Sequence, residues 1–365
     1  NISIQLFVSD FLIDCSPGYK TFVLVFERIA GESIQLQVVP PMITAAPPSV
    51  KIPIVDFQPF VSGDSYGQER VAQDIYQAYH AVGFMYLKNH GVPTDLLERV
   101  FQESQRFFDL PLDIKQELAW TEAFSNRGYV GMQRERLNPQ RPGDAKECFN
   151  IGQEIPAIAS SSATEAALIQ NRWLPGDAAF RQTMLTFFDE CIAAADRVLQ
   201  AFALALHLPP SYLVNLHRKR ENTLRLLHYP PLADAVLEPN QIRAGEHSDY
   251  GSITLLFQDD VGGLEVQSLS GEWLFAPCIP DTVLVNTGDL MQRWTNDAFR
   301  STKHRVGVPT GDRARRSRYS IAFFCHPDMD AEIQCIDSCH SPRNPAKYAP
   351  ILAGDHLIEL LQATY

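Results

Sequence analysis

The chain has 365 residues, 45% of them apolar and 20% charged, which excludes a mainly disordered, collagen-like or coiled-coil protein. Its formal net charge of −12 disfavours nucleic-acid binding, because affinity for phosphate backbones is built mainly on Lys and Arg. One short basic run, Arg313 to Arg318, is interpreted as a solvated loop rather than an anion-binding patch. Function is therefore expected to come from a site, in one large domain or two.

The seven cysteines are scattered and form no CxxC pair, so the sequence predicts neither a disulfide framework nor a zinc finger. This usage is typical of a reducing compartment. No stretch reaches the roughly 18 uninterrupted apolar residues that a membrane-spanning helix needs. We therefore expect a cytoplasmic protein without a membrane segment.

Residues 1–50 differ from the rest of the chain and are interpreted as a divergent N-terminal extension and linker. Two β-like runs, FVLVF at 22–26 and SIQLQVV at 33–39, precede a proline-punctuated stretch that is expected to be extended. The sequence suggests no function for this segment.

The body begins with a region of helices and strands at 51–175. An apolar strand, KIPIVDF, precedes a helix whose inner face carries Val71, Ile75, Ala78 and Val82. A strand (FMYLK) and a second amphipathic helix (TDLLERVFQESQRFF) follow. This alternation predicts a mixed α and β region.

Residues 176–365 begin with a long helix at about 178–207 and then change to short β-like runs. These runs, from LRLLHYP to RYSIAFFCHP, are separated by turns every eight to twelve residues, which predicts a sandwich or barrel. The glycine segment DDVGGLEV lacks a nucleotide-binding pattern and is interpreted as a hairpin turn. A C-terminal helix, GDHLIELLQATY, is expected to pack back on the body.

The segment GEHSDYGSITLLFQ places His247 and Asp249 two positions apart. If both lie on one strand, they present an imidazole and a carboxylate on the same face. By itself the pair indicates a hydrogen-bonded structural contact more strongly than a site.

Further polar residues follow in the same β region. His304 opens the run HRV, which is expected to pair within the same sheet, and Arg318 and Ser320 share one strand face in RYS. Two histidines and one carboxylate supply three ligands on one face of an ion, the set typical of non-haem Fe(II) oxygenases. An arginine beside a hydroxyl forms a suitable clamp for a carboxylate.

These motifs, HSD, HRV and RYS, together with LRLLHYPP at 224–231, resemble the Fe(II)/2-oxoglutarate-dependent dioxygenase superfamily, in the branch that includes isopenicillin N synthase. PIVDF, AVGFMYLKNHGVP, RFFDLP and DAKECFNIG are similar to that branch's N-terminal region. The resemblance covers about residues 51–365 in the expected order and does not include 1–50. It implies a mainly β fold, a distorted double-stranded β-helix or jelly roll, braced by N-terminal and C-terminal helices.

The same resemblance implies roles for individual residues. His247, Asp249 and His304 would bind Fe(II). Arg318 and Ser320 would hold the distal carboxylate of the cosubstrate 2-oxoglutarate, with Tyr229 lining that pocket. Arg225 would either meet a second carboxylate or form a structural ion pair. Two other histidines, His228 and His326, are interpreted as structural.

The predicted function is oxidation of a small-molecule metabolite, by hydroxylation, desaturation or cyclisation, with O₂ and 2-oxoglutarate and with release of succinate and CO₂. The alternatives are an isopenicillin N synthase-like oxidase that uses no 2-oxoglutarate and a catalytically silent jelly roll that binds a ligand or partner. A zinc hydrolase fits poorly, because HExxH is missing. We expect a monomer, a role in specialised biosynthesis, and substrate contacts from NRGYVGM, KECFNIG and the segment after residue 325.

Overall fold

The computed structural model describes residues 23–27, 35–39, 51–120, 126–154, 170–232 and 237–364. The chain divides into two compact units, 1–50 and 51–365. In the first unit, β1 (Val23–Glu27) and β2 (Gln35–Val39) form an antiparallel pair, so both β-like runs predicted there are confirmed. The proline-punctuated stretch lies outside the described residues.

The second unit contains helices and strands in alternation. Its helices are α1 (Gln58–Val61), α2 (Ser65–Ala81), α3 (Thr94–Phe108), α4 (Leu112–Glu117), α5 (Ala178–Ala205), α6 (Ser211–Val214), α7 (Asp289–Trp294) and α8 (Ala353–Thr364). Its strands are β3 (Ile54–Asp56), β4 (Phe84–Lys88), β5 (Gly128–Val130), β6 (Glu147–Gly152), β7 (Thr223–Tyr229), β8 (Ala244–His247), β9 (Ile253–Gln258), β10 (Leu264–Gln267), β11 (Trp273–Phe275), β12 (Thr282–Thr287), β13 (His304–Val306), β14 (Arg318–Cys325), β15 (Glu332–Ile333) and β16 (Ile351–Leu352).

Most of these strands form two sheets. The larger sheet has the order β3-β4-β12-β9-β14-β7-β6-β5, and the smaller sheet has the order β11-β10-β13-β8. From β7 to β14 the chain moves repeatedly between the two sheets and returns antiparallel to its earlier strands. This is the winding of a double-stranded β-helix, so the jelly roll predicted from the sequence is confirmed.

Alternation along β14 separates two environments. Ile321 and Phe323 pack with the helices in one apolar core, to which α5 contributes most of its buried side chains. Arg318, Ser320 and Phe324 point to the opposite face and line a cavity. Because side chains alternate along a strand, one strand supports the helical layer and also carries the site.

Two local interpretations of the sequence are wrong. The glycine segment after β9 is not a hairpin turn, because β9 belongs to the larger sheet and β10 to the smaller one. Gly262 and Gly263, both with positive φ, carry the chain from one sheet to the other. The strand with His247 also ends at that residue, so Asp249 lies in the connection to β9.

Within the described residues, no helix combines the length and the hydrophobicity required to span a bilayer. Helices α2, α3 and α5 pack against strands of the larger sheet. Asp177 caps α5 by accepting a hydrogen bond from the Phe180 backbone N–H at 3.1 Å, a contact that satisfies one of the free donors at a helix start.

Candidate active site

A cavity of about 540 Å³ lies in the jelly roll. Strands β7 and β14 of the larger sheet supply one wall, and residues on β8, β10 and β13 of the smaller sheet supply another. Helix α8 adds apolar side chains to its lining, which include Leu357 and Leu361. The segments predicted to contact substrate also reach it, through Asn126, Lys146 and His326.

The three predicted metal ligands converge in this cavity. His304 on β13 is the register partner of His247 at the end of β8, and Asp249 follows two residues later. The Asp249 Oδ1 atom lies 3.7 Å from His304 Nε2 and 4.0 Å from His247 Nε2. One ligand atom from each residue lies within 4.8 Å of the others. Donors about 2.1 Å from one ion and at right angles lie about 3 Å apart, so small side-chain rotations would bring this set around an ion.

Neighbouring groups orient the three donors. The Nδ1 atom of His247 lies 2.8 Å from the Gly245 carbonyl, and that of His304 lies 3.2 Å from the Thr302 carbonyl. An Nδ1–H that donates to a carbonyl leaves the Nε2 lone pair free for a metal. The Asp249 Oδ2 atom accepts hydrogen bonds from Thr254 and Asn286, at 2.5 and 2.7 Å. Its other oxygen, Oδ1, therefore faces the two histidines.

The protonation states also suit a divalent cation. Burial, together with the adjacent His304, lowers the pKa of His247 to about 3. Burial alone would raise the pKa of Asp249, but the imidazoles of His304 and His247 hold that pKa below its usual value. Neutral imidazoles and an ionised carboxylate are the forms that bind metal, and this set fits Fe(II).

The predicted carboxylate clamp is also assembled. Arg318 is 1% exposed, donates from Nη1 to Ser320 Oγ at 3.1 Å and from Nη2 to Gln258 at 3.2 Å. Its Nε atom is buried and has no hydrogen-bond partner among the described residues. The guanidinium lies over the Tyr229 ring, 4.7 Å from the centroid. The geometry leaves a buried cation and a hydroxyl facing the cavity.

Arg243 is a neighbour of this clamp that the sequence reasoning missed. Its side chain is fully buried and lies 5.9 Å from the Tyr229 ring centroid, while Nη2 donates to the carbonyls of Pro230 and Arg316. Burial, and then repulsion from Arg318, lower the pKa of Arg243 to about 10. Two buried guanidinium groups therefore lie close to the Tyr229 ring and favour an anion nearby.

Arg225 takes part in a buried ion network. Its Nη1 donates to Glu135 at 2.7 Å, and its Nε donates to Asn150 at 2.8 Å. Lys146 binds the same Glu135 at 2.7 Å and also binds Asp144. Of the two alternatives for Arg225, these contacts match the structural ion pair, and its role at a second carboxylate stays a prediction.

The two histidines interpreted as structural differ from each other. His228 is satisfied on both ring nitrogens, by Glu147 at 2.7 Å and Ser317 at 3.0 Å. His326 lines the cavity, and its buried Nδ1 has no partner in the described part of the chain. The hydrogen bond expected at Nδ1 is therefore missing, and the interpretation of His326 as structural stays a prediction.

Comparison with known proteins agrees with this site. A family profile described as 2OG-Fe(II) oxygenase superfamily matches residues 220–327. A second, the N-terminal region of the non-haem dioxygenase in morphine synthesis, matches residues 52–176. A 2-oxoglutarate-dependent dioxygenase of Dothideomycetidae sp., frbA, is 33% identical over 79% of this chain and 89% of its own length. The chain belongs to the 2OG-Fe(II) oxygenase superfamily.

Other relatives and solved structures of the superfamily cover the same part of the chain. A proline hydroxylase of Petromyces alliaceus is 34% identical over 80% of this chain and 93% of its own length. The crystal structure of a full-length Neurospora crassa protein in complex with alpha-KG and thymine has 38% identity and a TM-score of 0.77, covering 86% of this chain and 97% of that one. A putative 2OG-Fe(II) oxygenase of Caulobacter crescentus has 29% identity and a TM-score of 0.74, covering 85% and 98%.

These matches establish the predicted activity class. The protein is a 2-oxoglutarate-dependent dioxygenase that uses Fe(II), 2-oxoglutarate and O₂ on a small-molecule substrate. Neither an oxidase without 2-oxoglutarate nor a silent binding protein is favoured, because curated relatives carry the dioxygenase name and solved neighbours hold alpha-KG. The division of the body at residue 175 stays a prediction.

Proposed function

We propose that His247, Asp249 and His304 hold the Fe(II) of this dioxygenase. The observation that carries the proposal is the convergence of two Nε2 atoms and one carboxylate oxygen beside the Arg318 clamp. The carbonyls that accept from the two Nδ1 groups fix the rings, and Thr254 and Asn286 fix the carboxylate. Three protein ligands on one face leave the remaining positions for cosubstrate and O₂.

We further propose that Arg318, Ser320 and Tyr229 bind the distal carboxylate of 2-oxoglutarate. The buried guanidinium provides charge, the Ser320 hydroxyl provides a further donor, and the Tyr229 ring packs against the guanidinium. With metal and 2-oxoglutarate bound, the site supplies the oxidising chemistry that attacks a substrate carbon and releases succinate and CO₂. The protein contributes orientation and the exclusion of water.

The test is an anaerobic titration of the Fe(II) protein with 2-oxoglutarate, monitored through the visible charge-transfer band. Wild-type protein should develop the band, Asp249→Ala should lose it together with stoichiometric Fe(II) binding, and Arg318→Gln should require far more 2-oxoglutarate. The exposed carboxylate Asp330, which pairs with Lys219 at the surface, provides a matched control, Asp330→Ala. Fe(II) binding that survives Asp249→Ala would contradict the assignment.

Three further properties remain predictions. We propose that the protein is a cytoplasmic monomer that does not bind nucleic acid. The net charge of −12 supports the last point, and free thiols at Cys148, Cys191 and Cys325 fit a reducing compartment. Burial raises the pKa of the Cys148 thiol to about 11, which keeps it protonated and unreactive.

A further inference from the structure

The basic side chains that line the cavity fall into two groups. Four have a carboxylate partner within ion-pair distance: Lys146 with Glu135 and Asp144, Lys219 with Asp330, Arg220 with Asp196, and Arg225 with Glu135. Two cavity arginines, Arg318 and Arg127, have no such partner among the described residues. Arg318 is accounted for by the cosubstrate. The charge of Arg127 is not balanced by anything in the site described above.

The guanidinium of Arg127 is poorly satisfied. Its Nη1 donates to the neighbouring Asn126 carbonyl at 3.2 Å, and its buried Nε has no partner in the described residues. Burial lowers the pKa of Arg127 to about 10, which still leaves it charged at neutral pH. A charge removed from water without a partner is costly, so an anionic ligand at this position would stabilise it.

The surroundings of Arg127 hold the guanidinium in place. A Cβ atom on Gly152 would lie only 2.0 to 2.2 Å from the guanidinium atoms, so the group packs against the bare backbone of β6. The preceding residue is fixed as well, because Asn126 Oδ1 accepts a hydrogen bond from Asn150 at 2.6 Å. Only glycine at position 152 allows Arg127 to adopt this position.

His326 lines the same cavity as Arg127 and the three proposed metal ligands. Burial lowers the pKa of His326 to about 4, so its ring is neutral at neutral pH. The Phe324 ring beside it is nearly parallel, with centroids 6.5 Å apart, and adds an apolar wall. A small molecule can therefore contact Arg127 and present a carbon to the metal.

On the basis of the proposed function, we propose that Arg127 binds the carboxylate of the substrate, which is a small monocarboxylic acid with an apolar body. His326 and Phe324 line the cavity beside this position, and Phe324 packs against the body of the acid. Arginine pairs with carboxylates through two parallel hydrogen bonds, which a neutral amide cannot match. The inference goes beyond the dioxygenase activity by naming the charge of the substrate and the residue that selects it.

The test uses the Fe(II) protein saturated with 2-oxoglutarate under anaerobic conditions. The probes are benzoate, phenylacetate, hexanoate and octanoate, each beside its primary amide, with thymine as a neutral heterocycle. Binding is followed by the change in the visible band and by the melting temperature, and succinate release is measured after oxygen is admitted. At least one acid should bind wild-type protein ten times more tightly than its amide.

Three variants separate the contribution of Arg127 from general charge effects. Arg127→Gln should abolish the preference for acid over amide while the affinity for 2-oxoglutarate stays within twofold of wild type. Gly152→Ala should weaken acid binding with the arginine still present, because the added methyl group displaces it. The control Lys219→Gln removes a positive charge from the same cavity lining and should preserve the preference.

The inference is overturned if no acid of the panel binds, if acids and amides bind equally, if thymine is preferred, or if Arg127→Gln binds acids as wild type does. Failure of the proposed function has a different signature, the absence of the 2-oxoglutarate band in wild-type protein. In that case the melting temperature still reports whether acids bind, so failure of the proposed function and failure of the Arg127 inference can be told apart.

Discussion

Substitution of Asn286 by alanine tests whether the neighbours of Asp249 prepare the metal site. Asn286, on β12, donates a hydrogen bond of 2.7 Å to Asp249 Oδ2, and Thr254 donates another of 2.5 Å to the same atom. Both donors are buried. Without Asn286 the carboxylate keeps a single donor and gains freedom to rotate, so Oδ1 is less firmly directed at the two histidines.

The expected loss follows from the strength of that bond. A hydrogen bond to a charged group contributes about 1.5 to 3 kcal/mol, and Thr254 retains part of the orientation. Loss of residues that orient a metal ligand typically weakens metal binding by about 10- to 100-fold. We therefore expect Asn286→Ala to weaken Fe(II) binding at least about tenfold, or about 1.4 kcal/mol.

The assay is an anaerobic titration of metal-free protein with Fe(II), repeated with Mn(II). The control is Thr287→Val on the same strand, since Thr287 is buried and its hydroxyl donates to the Arg300 carbonyl at 2.7 Å and not to the Asp249 carboxylate. Thr287→Val should lower the free energy of unfolding and leave the metal Kd unchanged. An equal loss of metal affinity in both variants, or no loss in Asn286→Ala, would refute the reasoning.

Three other predictions concern stability of the metal-free protein, measured by urea unfolding. Burial lowers the pKa of His217 from 6.5 to about 4. The free energy of unfolding should therefore be highest above pH 6.5 and fall by about 3 kcal/mol as the pH drops to 4, because the unfolded state binds the proton more tightly. His217→Gln should flatten that part of the pH profile, and an unchanged profile would contradict this. Lys146→Met should destabilise the fold by about 3 to 5 kcal/mol, because buried carboxylates such as Glu135 then lose a positively charged partner. A loss below about 1 kcal/mol would argue against a tightly paired network. Gly128→Ala should cost at least about 2 kcal/mol, since φ is +102° and the new Cβ would lie 2.2 Å from the Leu118 carbonyl oxygen; wild-type stability would count against that strain.

The three proposed metal ligands could be predicted from the sequence because they lie in short motifs with recognisable spacing. HxD is a local motif, and His304 opens a run that reads as a strand. The contact that joins them, the register of His304 with His247, joins strands separated by some fifty residues. Asp249 lies outside the strand that was expected to carry it. It is only two residues after His247, however, and its carboxylate still lies beside both histidines.

The pairing of the strands was harder to predict from the sequence than the candidate ligands were. A glycine pair between two apolar runs indicates that the chain changes direction, and such a turn most often closes a hairpin. Here β9 finds its partners in β12 and β14, while β10 finds them in β11 and β13. Those partners all come later in the chain and decide the pairing, and no local pattern around Gly262 reports them.

The arginines show why the charges available in a cavity are harder to predict from the sequence than the candidate metal-binding residues. Arg225 shares a strand face with Tyr229, and the sequence left open whether it meets a second carboxylate or forms a structural ion pair. In the structure Glu135, 90 residues earlier, accepts a hydrogen bond from it. No pattern in the local sequence predicts a role for Arg127. Its position depends on residue 152 being a glycine, because a Cβ atom there would overlap the guanidinium. An arginine is available to a ligand only when the fold supplies no carboxylate for it. That condition is a property of the assembled cavity, so the same residue type is ion-paired at 225 and, by our inference, selects the substrate at 127.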